Sequence, residues 1–117
     1  MNRETSIQNA ILLALSQSGC LVWRVETAGA WVGQKIHQDG DMVTLSNARM
    51  FVTGLCKGGA DIIGIHRATG RFLAVEVKTS KGRTTPEQDR FLEAVRKAGG
   101  IAGVARSPEE ALELIRG

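Results

Sequence analysis

Residues 58–80 read GGADIIGIHRATGRFLAVEVKTS. Apolar, β-branched and aromatic residues dominate, with a glycine pair in front and a polar turn, RATG, in the middle. That pattern predicts two strands, 61–66 and 71–78. The connection is short, so the pair is expected to be an antiparallel hairpin. Three charges interrupt it: Asp61 opens the first strand, and Glu76 and Lys78 close the second. Side chains alternate along a strand, which puts Phe72, Ala74, Glu76 and Lys78 on one face and Leu73, Val75 and Val77 on the other. Two residues advance the chain by about 6.6 Å, so Glu76 and Lys78 are neighbours, and Asp61 lies near the same end of the hairpin.

Two carboxylates held together resist joint ionisation. A divalent cation relieves them. Mg²⁺ takes oxygen ligands and keeps several waters, so one or two carboxylates are enough to hold it. Such an ion polarises a phosphodiester oxygen and activates an attacking water. A lysine beside it stabilises charge on the phosphate or orients that water. The plain alternative is a salt bridge at a strand end, which Glu-x-Lys alone satisfies equally well. The glycine-rich approach to Asp61 and the apolar flanks DIIGI and FLAVEVK favour the site, because rigid elements hold ligands better than loops do.

Outward from the hairpin, the C-terminal side is regular. In TTPEQ, Thr85 is an N-cap, Pro86 stands at the first helical position and Gln88 at the third, a capping box. The helix continues through Phe91, Leu92 and Val95 to about Ala98, where a glycine pair stops it. IAGVA, 101–105, reads as a short strand buried on both faces. SPEE, 107–110, repeats the helix start, with Ala111, Leu112 and Ile115 expected on one face of the last helix. On the N-terminal side, Ile7, Ala10, Ile11, Ala14 and Leu15 predict a helix over 3–17, ended by Gly19. CLVWRVE, 20–26, predicts a strand. Residues 29–57 are less regular, with a hairpin expected around Asp39-Gly40 and a separate short extended piece in ARMFVTGL. This is the stretch expected to be mobile or to face a partner. The sum is a single α/β domain over 1–117, a central mixed sheet flanked by helices.

The whole chain sets the frame. Its 117 residues, 43% of them hydrophobic and 23% charged, suit one globular domain with a real core. The longest apolar run, AILLAL, is far shorter than the roughly 20 residues of a membrane span. Polar residues and Glu4 come first, unlike a signal peptide, so the chain reads as cytoplasmic, or as cytosolic in the host that makes it. Cys20 and Cys56 lack metal-ligand spacing and read as two small buried or half-buried thiols. The net charge of +3 is mild. With three acids set aside around a metal, nine face fifteen bases, a balance that favours an anionic partner.

GGAD followed by EVK resembles the PD-(D/E)xK nuclease superfamily. Residues 57–115, from KGGADIIGI through EVKTSKGRTTPEQDRFLEAV to EEALELI, resemble more closely the virus-type replication-repair nuclease (VRR-NUC) domain. The proline often found before the first acid is Ala60 here, a position that is not a ligand in the family. The resemblance implies a restriction-endonuclease-like core and a metal-dependent nuclease. It implies Asp61 and Glu76 as metal ligands, the carbonyl of Val77 as a further ligand, and Lys78 as the catalytic lysine. It also implies a glutamate on the first helix, for which Glu4 is the candidate, and a glutamine after the lysine motif, for which Gln88 stands. Glu4 extends a helical stripe with Gln8, Ile11 and Leu15, though an acid in a first turn also suits the helix dipole. Gln8 reads equally as the third residue of a Thr5 capping box.

Lys81 and Arg83 form a basic loop beside Lys78 that suits phosphate contact. Arg24, Lys35, Arg49 and Lys57 are further candidates for backbone contact. His37 and His66 read as structural or solvent-facing, and Trp23 and Trp31 as packing residues. The reading is a Mg²⁺- or Mn²⁺-dependent DNA endonuclease without a membrane anchor. Stand-alone bacterial and phage members of the family resemble Holliday-junction resolvases, which implies a homodimer acting on branched DNA. The alternatives are a nickase or flap cutter, or a nucleic-acid-binding dimer with an idle site.

Overall fold

A computed structural model describes residues 2–26, 29–52 and 54–117. The chain forms two compact units, one of residues 1–25 and 56–117 and one of residues 26–55. The second is thus an insertion in the first.

The larger unit holds three helices, α1 (Arg3–Gln17), α2 (Pro86–Lys97) and α3 (Pro108–Arg116), numbered in chain order. Its four strands are β1 (Cys20–Arg24), β4 (Ile62–His66), β5 (Arg71–Val77) and β6 (Ile101–Ala105). They lie in the order β1-β4-β5-β6. β1, β4 and β5 pair antiparallel, and β6 joins β5 in parallel, so the sheet is mixed as expected. The α2 crossover supplies the length that a parallel β5–β6 connection needs.

The predicted alternation of β5 sorts the core into two layers. Leu73, Val75 and Val77 are fully buried with Ile11, Leu15, Cys20, Ile62 and Ala111. Each large apolar side chain so buried contributes about 1.5–3 kcal/mol relative to exposure. On the opposite face Ala74 and Ala102 pack under Leu92, Phe91 and Val95 of α2. The stripe of α3 runs through Ala111, Leu114 and Ile115; Leu114, not Leu112, meets the core, where its methyl carbons lie against Gly103.

The helix starts obey local chemistry. Thr85 caps α2 in a reciprocal box: its hydroxyl accepts from the Gln88 N–H, and the Gln88 side chain accepts from the Thr85 N–H. Ser107 accepts from the Glu110 N–H, while the Glu110 carboxylate accepts from the Arg106 N–H, one residue before the cap. At α1 the cap is Asn2, accepting from Thr5 N–H, so a box opened by Thr5 with Gln8 is corrected. Thr5 is itself the third residue of the helix, and the Asn2 side chain satisfies its N–H.

The insertion is more regular than its sequence suggests. β2 (Gly29–Asp39) pairs along its length with β3 (Met42–Val52), so residues 48–52 of ARMFVTGL are the end of a long strand and not a separate piece; Thr53 lies outside the described residues, and Gly54 and Leu55 follow the strand. Gly40 has φ +60° at the first loop position, as a type II′ turn requires. Two register shifts interrupt the ladder, at Val32/Gln34 and Lys35/His37. The hairpin expected at Asp39-Gly40 is present, but the register shifts break the period-2 pattern, which is why the full length of its strands does not read from the sequence.

Four side-chain expectations are corrected or refined. Trp23 is 51% exposed and Trp31 64%. Cys20 is buried, but Cys56 is exposed. His66 is structural: its Nδ1 lies 2.9 Å from the Thr69 hydroxyl within the RATG turn. Among the described residues no helix is long and apolar enough to cross a membrane.

Candidate active site

The β4–β5 register sets Ile62 opposite Val75, and one further step sets Asp61 opposite Glu76. The ladder ends there. The Asp61 carbonyl accepts from Val25 N–H at 2.8 Å on the β1 side. Its side chain turns to β5 and Oδ2 accepts from Val77 N–H at 2.9 Å. A carboxylate therefore takes the place of a strand rung. Asp61 stands just before β4 rather than inside it. A backbone N–H and C=O of one strand residue point the same way, so the Val77 carbonyl also faces the Asp61 side. The next N–H, of Lys78, donates instead to Ala105 O of β6 at 3.2 Å.

Glu76 is the sole charged residue among the described buried side chains, 2% exposed. Its Oε1 lies 3.8 Å from the Lys78 ammonium. Its Oε2 is buried without a hydrogen-bond partner. Burial pushes the Glu76 carboxyl up to about 9. The Asp61 carboxyl, as a hydrogen-bonding neighbour and as a charge, pushes in the same direction; Lys78 pulls back, and Glu4 adds a smaller push. A buried acid with an orphaned oxygen beside another acid is costly by itself. The donor set is oxygen-only, the chemistry that suits a hard divalent cation.

Lys78 has a side chain only 17% exposed, so its ammonium is held against the pair. Gln88 spends its side-chain oxygen on the cap of α2, leaving its amide nitrogen for other use. Glu4 is exposed in the first turn of α1, where its charge still acts on Glu76. Two carboxylates come together here; no group of three His, Cys, Asp or Glu closes to metal-holding geometry among the described residues.

The approach to Asp61 is fixed by Gly58. Its φ is +82°, and a Cβ there would meet the backbone carbon of Glu87 at 2.5 Å. This glycine lets the chain cross the first turn of α2. Lys57, beside it, is exposed and its charge acts on Glu87, whose carboxyl is held low first by its own backbone N–H. Lys81 and Arg83 are exposed and form no ion pair among the described residues.

One contributor has no sequence signal. Arg106 follows β6, and its guanidinium donates to Thr79 O at 2.6 Å and Gly82 O at 2.7 Å. An arginine between a strand and an N-cap carries neither periodicity nor motif, so its role emerges only from the pairing of β5 with β6.

No curated protein matches the chain. A family model does: the VRR-NUC domain matches residues 2–109, which includes the insertion and the larger unit from residue 2 to the start of α3. With its mixed sheet, flanking helices and acid-plus-Glu-x-Lys edge, the chain belongs to the VRR-NUC domain family, nucleases of the PD-(D/E)xK type with a restriction-endonuclease-like fold.

Proposed function

We propose that this chain is a Mg²⁺- or Mn²⁺-dependent endodeoxyribonuclease acting in the cytoplasm on branched DNA such as a four-way junction. The observation that carries the reading is Glu76: a buried carboxyl with an unpartnered oxygen, raised by burial and by Asp61, at the edge of an apolar sheet. A divalent metal would relieve such a pair. Asp61, Glu76 and the Val77 carbonyl would hold it, with Glu4 completing the outer side. Bound there, the ion supplies Lewis-acid polarisation of a phosphodiester and a more acidic water. The chain's own residues do the rest. Lys78 places an ammonium where charge develops on the phosphate. The amide nitrogen of Gln88 orients the water or the phosphate. Lys81, Arg83 and Lys57 neutralise the DNA backbone.

A homodimer belongs to the same reading, since a symmetric junction needs two matched cuts. What supports it is an exposed apolar row. The register aligns Leu21, Ile65 and Phe72 across three strands, and they are 39–41% exposed with Trp23 nearby. The insertion 26–55 is then an appendage of one nuclease domain.

The test is cleavage of a labelled four-way junction and a matched linear duplex with Mg²⁺ or Mn²⁺, an EDTA control and Asp61→Ala. Junction cutting that needs metal and is lost in the variant supports the reading. Equal cutting of both DNAs keeps the nuclease and removes the junction preference. No cutting of either overturns it for these substrates. Light scattering of wild type beside Ile65→Arg tests the dimer, which the arginine should dissociate.

A further inference from the structure

We propose that Arg106 is a positioning residue that fixes the loop after Lys78, so that Lys81 and Arg83 meet the DNA backbone in one geometry; this rests on the nuclease reading above. The loop 79–85 carries no sheet pairing and no helix. It closes on one backbone bond, Gly82 N–H to Thr79 O at 3.1 Å, and Gly82 lies against the Lys78 stem. Its exposed tip carries Lys81, with Arg83 just after, and neither has an acid partner among the described residues. Left so, two unpaired cations on a short loop would sample many arrangements, and binding DNA would have to order them.

Arg106 removes that freedom from behind. One guanidinium nitrogen bridges the carbonyls of Thr79 and Gly82, the two ends of the turn, at 2.6 and 2.7 Å. The backbone of Arg106 is anchored on both sides. Ala105 O holds Lys78 N–H, and the Glu110 carboxylate accepts the Arg106 N–H at 2.7 Å. The guanidinium is half-buried, and its two acceptors are neutral carbonyls. The chain therefore runs a rigid link from β6 and the start of α3 to the basic tip. A charge-assisted bond is stronger than a neutral one, and a bridging nitrogen fixes both carbonyls at once.

The experiment compares wild type with Arg106→Met, Arg106→Lys and Arg106→Gln. DNA affinity for the labelled junction is measured in EDTA over a range of salt, and Mn²⁺-induced thermal stabilisation is measured on the same proteins. The expected result is about tenfold weaker binding for Arg106→Met and a salt slope shallower by about one to two. Arg106→Lys should recover most of this, Arg106→Gln less. The Mn²⁺-induced stabilisation should stay at the wild-type value, since the carboxylate pair is untouched. Adding Lys81→Ala and Arg83→Ala to Arg106→Met should cost little more, because both routes remove the same contacts. If Arg106→Met does not fold, the order Arg, Lys, Gln in affinity carries the test. Equal affinity and equal salt slope across the folded variants would overturn the proposal while the nuclease reading stands. A wild type that binds and cuts no DNA would overturn both.

Discussion

Asp61 and Val77 are joined by a bond between a side chain and a strand: the aspartate Oδ2 accepts the valine N–H at 2.9 Å, one residue beyond Glu76. This bond decides where the acids stand. It holds Asp61 at the open end of the ladder, beside Glu76. Asp61→Ala therefore removes a proposed ligand and a rung together. It should lose cleavage by at least about a hundredfold and cost about 1–2 kcal/mol of stability. Asp61→Asn keeps an acceptor for Val77 and should recover the stability but not the cleavage. Thermal melts beside cleavage rates check both.

The raised Glu76 carboxyl makes stability depend on pH. Its ordinary value is 4.5, and in the fold it stands at about 9. A raised group binds its proton more tightly when folded, so its contribution is full below about 4.5. It is lost as pH rises and is gone above about 9. The metal-free protein should therefore melt at falling temperatures across that window. A divalent metal at the proposed site would replace the proton, so Mn²⁺ should bind more tightly as pH rises, releasing about one proton. Melting curves from about pH 5 to 9, with EDTA and with Mn²⁺, check this; a flat metal-free profile would sink it.

Glu76→Gln separates the burial from the charge. The amide is nearly isosteric and cannot ionise, so it should flatten the metal-free pH profile. At about pH 8 it should stabilise the metal-free protein by roughly 2–4 kcal/mol, since each tenfold change in proton affinity between the folded and unfolded chain is worth about 1.4 kcal/mol. The same variant should lose both Mn²⁺-induced stabilisation and cleavage. Denaturant titration at that pH with and without Mn²⁺ reads both effects.

Lys78→Met tests the ammonium alone. The stem is retained and the half-buried position suits an apolar chain, while Glu76 loses the cation 3.8 Å away. Metal binding should survive. Cleavage should fall by about a hundredfold or more, seen as a loss of kcat at saturating metal.

Much of this was legible in the sequence, for a physical reason. Strand alternation alone placed Glu76 and Lys78 on one face, and the Thr85 and Ser107 starts announced α2 and α3, because capping is local chemistry. Two things were not local. The insertion's strands carry register shifts, so no period-2 signal survives at Val32–His37. Arg106 acts on Thr79 and Gly82 across a β-pairing that no spacing encodes. The third helix failed in detail because Leu114, not Leu112, fills the space that Gly103 leaves open.

Gly58→Ala should be strongly damaging, because steric clash and left-handed backbone coincide there. A Cβ there meets Glu87 backbone at 2.5 Å, and φ is +82°. Strain and clash together should cost about 2–4 kcal/mol and shift both Asp61 and the start of α2. Melting temperature and Mn²⁺ affinity should fall together, which distinguishes it from Lys78→Met.

The insertion also bears on how fast the chain folds. Arg24 must find Ile62 for β1 to join the sheet, which closes a loop of roughly 37 residues. Gly29 is paired with Val52 at the base of the ribbon. A hairpin zips in about 1–10 μs, well before a sheet of distant strands assembles. Once zipped, it leaves only about 15 residues to close, lowering the entropic barrier by about 1 kcal/mol. The long excursion is thereby a self-shortening loop, which lets β1 close on β4 across less than half of the intervening chain.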